Sequence, residues 1–125
     1  DLVIPHNNPI NTSVEDYDCF ALHQANRFIL QTIAKKFKIE ASKMPVSLDR
    51  YGNTSAAAIP LLLCDTYGND NTNTEIQTLM CGFGVGLSWG VCSAVINLKD
   101  VLPIIESDEI FEEGIINSED DFLKE

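Results

Sequence analysis

Basic residues are scarce in this 125-residue chain: 8 Lys and Arg stand against 19 Asp and Glu, a formal net charge of −11. Binding to a nucleic-acid backbone is driven by basic patches that displace counterions, so this balance excludes such a partner. No apolar run approaches the roughly 20 residues that cross a bilayer, and the N-terminus carries neither the basic nor the apolar stretch of a secretion signal. The expected setting is soluble and cytoplasmic, with no membrane partner. Nor is there a C-x-x-C pair. Cys19, Cys64, Cys81 and Cys92 lie 45, 17 and 11 residues apart, each in an apolar stretch. That spacing argues against a zinc site or a disulfide scaffold and for four buried thiols in a reducing compartment. No metal is expected. An initiator Met is missing too, and opening on Asp1 suggests that the chain belongs to something longer.

What is present is the composition of one folded domain, 45% apolar. Residues 1–16 mix prolines and asparagines without period and read as a lead-in loop. Tyr17 to His23 has the length and content of a strand. From Gln24 to Phe37, Ala25, Phe28, Ile29, Ile33, Ala34 and Phe37 recur at spacings of three and four, which predicts an amphipathic helix with Arg27, Lys35 and Lys36 on its outer face. Met44 to Leu48 reads as a second strand, Asp49 to Gly52 as a turn, and Thr54 to Tyr67 as a helix kinked at Pro60. Glu75 to Cys81 reads as a third strand. After the glycine turn Gly82-Phe83-Gly84-Val85-Gly86, Leu87 to Leu98 reads as a fourth strand, buried on both faces. The order β-α-β-α-β-β predicts an α/β layer spanning residues 17–98. Beyond it, residues 99–125 form an acidic tail, with ten carboxylates and one lysine between positions 100 and 125.

Three segments place polar groups at the ends of these elements. His23-Gln24-Ala25-Asn26 sets a histidine where a strand gives way to a helix, although a lone histidine there is commonly structural. Gly52-Asn53-Thr54-Ser55 sets a carboxamide at a second such junction, where an asparagine is commonly a helix N-cap. The glycine turn offers backbone N–H groups. It is not the G-x-G-x-x-G dinucleotide fingerprint, because Leu87 and a strand follow.

Taken together, HQAN, then LDRYGNTSAAAIP with its asparagine thirty residues beyond the histidine, then GFGVGLSWG resemble the C-terminal half of a β-ketoacyl-acyl carrier protein synthase III, a condensing enzyme of the thiolase fold. The resemblance spans about residues 14–98. It implies a thiolase-like layered fold, His23 and Asn53 as catalytic groups, and a nucleophilic cysteine on an N-terminal half that this chain does not contain. None of the four cysteines here stands in a matching context, so the chain alone is expected to be inactive. The family condenses an acyl-CoA with malonyl-acyl carrier protein. Decarboxylation of the malonyl thioester throws negative charge onto its oxygen, and two hydrogen-bond donors aimed there lower the barrier. By the same resemblance, the backbone N–H of Val85 falls at the second oxyanion hole, where many relatives carry a third glycine. Phe83 packs beside the catalytic groups, and Asn26 contacts the pantetheine arm.

Six of the eight basic residues, Arg27, Lys35, Lys36, Lys38, Lys43 and Arg50, lie between positions 27 and 50. Such a cluster is commonly a solvated face. In the family this helix docks the acidic acyl carrier protein; Lys35 and Lys36 match in position, and Arg27 sits one place before the arginine of many relatives. No cofactor is implied, since CoA and phosphopantetheine thioesters are substrates. A non-catalytic carrier-protein-binding module of the same fold is the alternative. One structural demand remains. The fourth strand is apolar on both faces while two helices cover one, so the N-terminal half of the same enzyme, or a homodimer, is expected to cover it.

Overall fold

All four residues of the strand Cys19–Leu22 (β1) are buried, and their alternation splits the core in two. Phe20 and Leu22 join Tyr17, Leu30, Met44, Leu79 and Cys81 on one face, while Cys19 and Ala21 join Leu62, Ile76 and Leu98 on the other. These positions come from a computed structural model that describes residues 13–109. The remaining main elements are α1 (Arg27–Phe37), α2 (Leu48–Tyr51), α3 (Ala58–Tyr67), β2 (Glu75–Phe83) and β3 (Trp89–Asn97). One-turn 3₁₀ segments stand at Val14–Asp16, Ala41–Lys43, Ser55–Ala57, Val85–Leu87 and Leu98–Asp100.

The sheet order is β1-β2-β3. β1 runs parallel to β2, with Leu22 opposite Cys81, and β2 pairs antiparallel with β3, with Phe83 opposite Trp89. A parallel pair needs a long crossover, here everything from α1 to α3. That crossover puts α1 against one face of β1 and β2 and α3 against the other, which makes a three-layer α/β arrangement of mixed sheet and helices.

Four sequence expectations are corrected. Residues 44–48 form no strand: Met44 to Ser47 run as irregular chain into α2, and Met44 and Ser47 are buried. Among the described residues the observed order is therefore β-α-α-α-β-β. α1 starts at Arg27, capped by Asn26, and its inward stripe is the buried Leu30 with the half-buried Ile33 and Ala34 packed beside it. Phe28, two residues from Leu30 and so on the opposite side, is 77% exposed. Pro60 does not kink α3, because the helix begins at Ala58 and the proline sits in its first turn, where a missing N–H costs no intrahelical bond.

The fourth correction concerns β3, expected to be buried on both faces. Trp89 and Val95 are 54% and 59% exposed, and Cys92 and Ser93 are open as well, because both helices centre on β1 and β2, while half-buried Val91 and Ile96 pack against the two cores. Of the four cysteines, Cys19 and Cys81 are buried, Cys64 is half-buried and Cys92 is exposed.

The lead-in segment contributes Val14 to the α1-side core. At the other end Leu98 is buried, and the chain then crosses α3 at Gly68, where a Cβ would fall 2.5 Å from Pro103 Cα and 2.6 Å from Leu102 O. Only glycine permits that approach. Most of the acidic tail, residues 110–125, lies outside the described residues.

Candidate active site

His23 leaves the sheet just past β1. Its backbone N–H donates to Cys81 O at 2.8 Å, adding one rung to the parallel ladder, and its carbonyl accepts from Ala25 N at 3.1 Å in a tight turn. The half-buried imidazole meets the Phe83 ring edge to face, with centroids 5.1 Å apart and planes at 90°. This T-shaped contact is a favoured aromatic geometry. It fixes the ring at the C-terminal ends of the two parallel strands, where open α/β sheets place their ligand sites. The glycine turn that joins β2 to β3 is at the same end. Gly84 N donates to Ser88 O and Ser88 Oγ donates to Val85 O, both at 2.9 Å, while Gly86 takes φ +75°. Val85, at the tip, is 99% exposed.

Asn53 follows Gly52, whose φ of +66° and ψ of −155° are available in practice to glycine alone. Its Oδ1 accepts from Ser55 N at 3.0 Å in an Asx turn, and Ser55 itself is left-handed at φ +54°. With Oδ1 committed to the backbone, the Nδ2 hydrogens are the donors that the exposed side chain presents. Asn53 is thus a donor held by a special backbone turn and not the N-cap of α3, which begins five residues later.

Asn26 is also committed through its oxygen, with Oδ1 accepting from Ile29 N at 2.9 Å to cap α1. Lys35 and Lys36 are exposed in the last turn of α1, roughly 14 Å along the axis from Asn26 at 1.5 Å per residue. Arg27 is exposed in the first turn. Lys36 Nζ lies 5.7 Å from the Phe37 centroid. Two members of the basic cluster serve the fold instead. Lys43 Nζ donates to Tyr17 O at 2.8 Å, and Arg50 pairs with Asp65, which also accepts from the Tyr51 hydroxyl at 3.3 Å.

Burial pushes the Cys81 thiol above its ordinary value, and Cys19 is raised by the same cause. Neither has the lowered thiol of an activated nucleophile.

A protein-family description of the 3-oxoacyl-[acyl-carrier-protein] synthase III C terminal matches residues 8–96. The chain belongs to this synthase III family. It is 45% identical over 83 residues to the β-ketoacyl-[acyl-carrier-protein] synthase III of Porphyra umbilicalis, covering 66% of this chain and 26% of that protein. To the enzyme of the same name from Lactococcus lactis it is 44% identical over 90 residues, covering 70% and 27%. Among solved structures, the 3-oxoacyl-(acyl-carrier protein) synthase of Burkholderia xenovorans superposes with a TM-score of 0.71 at 37% identity, over 78% of this chain and 28% of that one. The priming β-ketosynthase of the R1128 polyketide pathway gives 0.62 at 26% identity, over 74% and 26%. The chain therefore spans about a quarter of the length of the curated relatives it matches, and its mixed sheet flanked by helices has the layered synthase III architecture.

The matched segment contains every site residue expected from the synthase III motifs. Sequence reasoning missed Gln24. It sits inside the HQAN motif, and the available signal was a polar residue between a strand and its helix with a large amide to satisfy. It is 1% exposed. No helix among the described residues is long and apolar enough to cross a membrane.

Proposed function

We propose that this chain supplies the decarboxylation half of a synthase III active site, in an enzyme that condenses an acyl-CoA with malonyl-acyl carrier protein. The observation that carries the reading is the packing of His23 against Phe83 at the C-terminal ends of β1 and β2, within the family-matched segment. Asn53, turned so that Nδ2 is its donor, is the second catalytic group. In the reaction the malonyl carboxylate leaves as CO₂ and its electron pair becomes an enolate, whose oxygen receives hydrogen bonds from His23 and Asn53. The enolate carbon then attacks the thioester carbonyl of an acyl-cysteine. The Val85 N–H holds the resulting oxyanion, and the cysteine thiolate departs as the carbon–sulfur bond breaks.

The nucleophilic cysteine belongs, in this proposal, to an N-terminal half outside this chain, because Cys19 and Cys81 are buried with raised thiols and neither Cys64 nor Cys92 adjoins a site motif. The chain alone is then inactive. Asn26 contacts the pantetheine arm through Nδ2, its oxygen being engaged as a cap. Carrier protein docks on Arg27, Lys35 and Lys36, the exposed cations of α1. The N-terminal half and a homodimer partner cover β3, and the reducing cytoplasm suits four free thiols.

The test is made in the complete enzyme. His23→Ala and Asn53→Ala are each expected to slow malonyl decarboxylation by roughly a hundredfold or more, as loss of one preorganised donor does. Acylation of the cysteine should suffer far less. Near-normal decarboxylation in both variants would remove the assigned roles.

A further inference from the structure

We infer that Gln24 is a positioning residue that holds the His23 and Asn53 junctions in register through one buried amide; the inference rests on reading those two side chains as the decarboxylation donors. Gln24 Nε2 donates to Leu22 O at 2.9 Å, and Oε1 accepts from Ser47 N at 3.1 Å. Its first bond reaches back across His23 to the last residue of β1 and so closes the chain around the histidine. Its second reaches 23 residues along the sequence to the start of α2.

Ser47 is itself buried, and its carbonyl accepts from Arg50 N and Tyr51 N, both at 3.0 Å. The residue gripped by Gln24 is thus the one from which α2 is built. α2 is four residues long, and Gly52 caps it directly before Asn53. Too short to hold an orientation by its own hydrogen bonds, it takes its direction from two anchors: Gln24 at its start, and Asp65 on α3, which binds Arg50 and Tyr51. The first anchor refers α2, and with it Asn53, to the strand that carries His23. An apolar side chain of the same size would fill the space but leave Leu22 O and Ser47 N without the partners they have here, and burial makes that loss costly.

The experiment uses the complete enzyme. Gln24→Met keeps the volume and removes both hydrogen bonds. It is expected to slow malonyl decarboxylation roughly ten- to a hundredfold, the scale of a small misplacement of catalytic groups, while cysteine acylation stays within about threefold. Gln24→Glu keeps an acceptor for Ser47 N–H but sets an oxygen against Leu22 O, and should show the same split as Gln24→Met. Gln24→Asn, one methylene too short to span both partners, should show the same split at smaller size and serves if Gln24→Met does not fold. In the His23→Ala/Asn53→Ala double variant, Gln24→Met should cost decarboxylation nothing further, a result that a purely structural role would not give. Wild-type decarboxylation in Gln24→Met and Gln24→Asn would overturn the inference. So would equal losses in decarboxylation and acylation, or an undiminished loss in the double-variant background. A wild-type rate in His23→Ala and Asn53→Ala would overturn the donor reading itself and this inference with it.

Discussion

β1 and β3 are both apolar strands of one sheet, yet they meet opposite surroundings. β1 has α1 on one face and α3 on the other, and each of its residues is buried. β3 is more than twice as long and holds Trp89, Val91, Val95 and Ile96; Val91 and Ile96 pack half-buried against the two cores, while Trp89 and Val95 face solvent. Apolar content therefore marks where cover is wanted, and neighbouring elements decide whether it is present. A few hundred Å² of apolar surface left wet forgoes about 25 cal/mol per Å², several kcal/mol in all. That is comparable to the stability of a small domain. The uncovered strand belongs to a chain spanning about a quarter of its relatives' length.

The sharpest way to break this contrast is truncation on each side of it. Leu62 is fully buried against β1, and Leu62→Ala should cost about 2–5 kcal/mol, as cavity-forming leucine truncations do. Val95→Ala in the isolated chain should stay within about 0.5 kcal/mol. Urea midpoints of the two variants read the difference, and similar values would dissolve the distinction between the strands.

Thiol labelling sharpens the same contrast without mutation. Cys92 on β3 is exposed while Cys19 and Cys81 are buried with raised thiols, so Cys92 should react at least a hundredfold faster in the isolated native chain, since buried thiols wait for local opening. In the complete enzyme Cys92 should slow towards the buried pair. Undiminished labelling there would show that nothing covers β3.

The smallest effect is a pH dependence confined to the covered strand. Burial raises the Cys19 thiol above its ordinary value, and burial beside Cys19 raises the Tyr67 phenol above its own. Both groups are favoured as neutral in the folded chain. The stability they contribute is complete below about pH 9 and is lost as pH rises through the folded-state values. Urea midpoints measured at increasing pH should fall above that point, and Tyr67→Phe should flatten the fall. An equally steep decline in Tyr67→Phe would assign it to other groups.

Much of the site was legible because its chemistry is local. His23 and Asn53 stand in short motifs whose turns follow from Gly52, Gly86 and an asparagine's ability to bond its own backbone. Phe83 was expected beside His23 and Asn53, and its ring meets the His23 imidazole. The strand expected at 44–48 was not formed, because its alternating apolar residues find burial against β1 and α1 without pairing to any strand, and Gln24 takes the Ser47 N–H that a ladder would have used.

Motif order made the family and the His23 and Asn53 junctions legible, and a 3.6-residue period made α1 legible as a helix, since both are properties of neighbouring residues. Tertiary structure alone decided that Gln24 joins those junctions, that Lys43 and Arg50 are spent on the fold, and that Trp89 and Val95 of β3 lie exposed. Each of these depends on which distant groups meet: a buried amide must find partners wherever the chain brings them, and an apolar strand is covered only as far as the crossover helices extend.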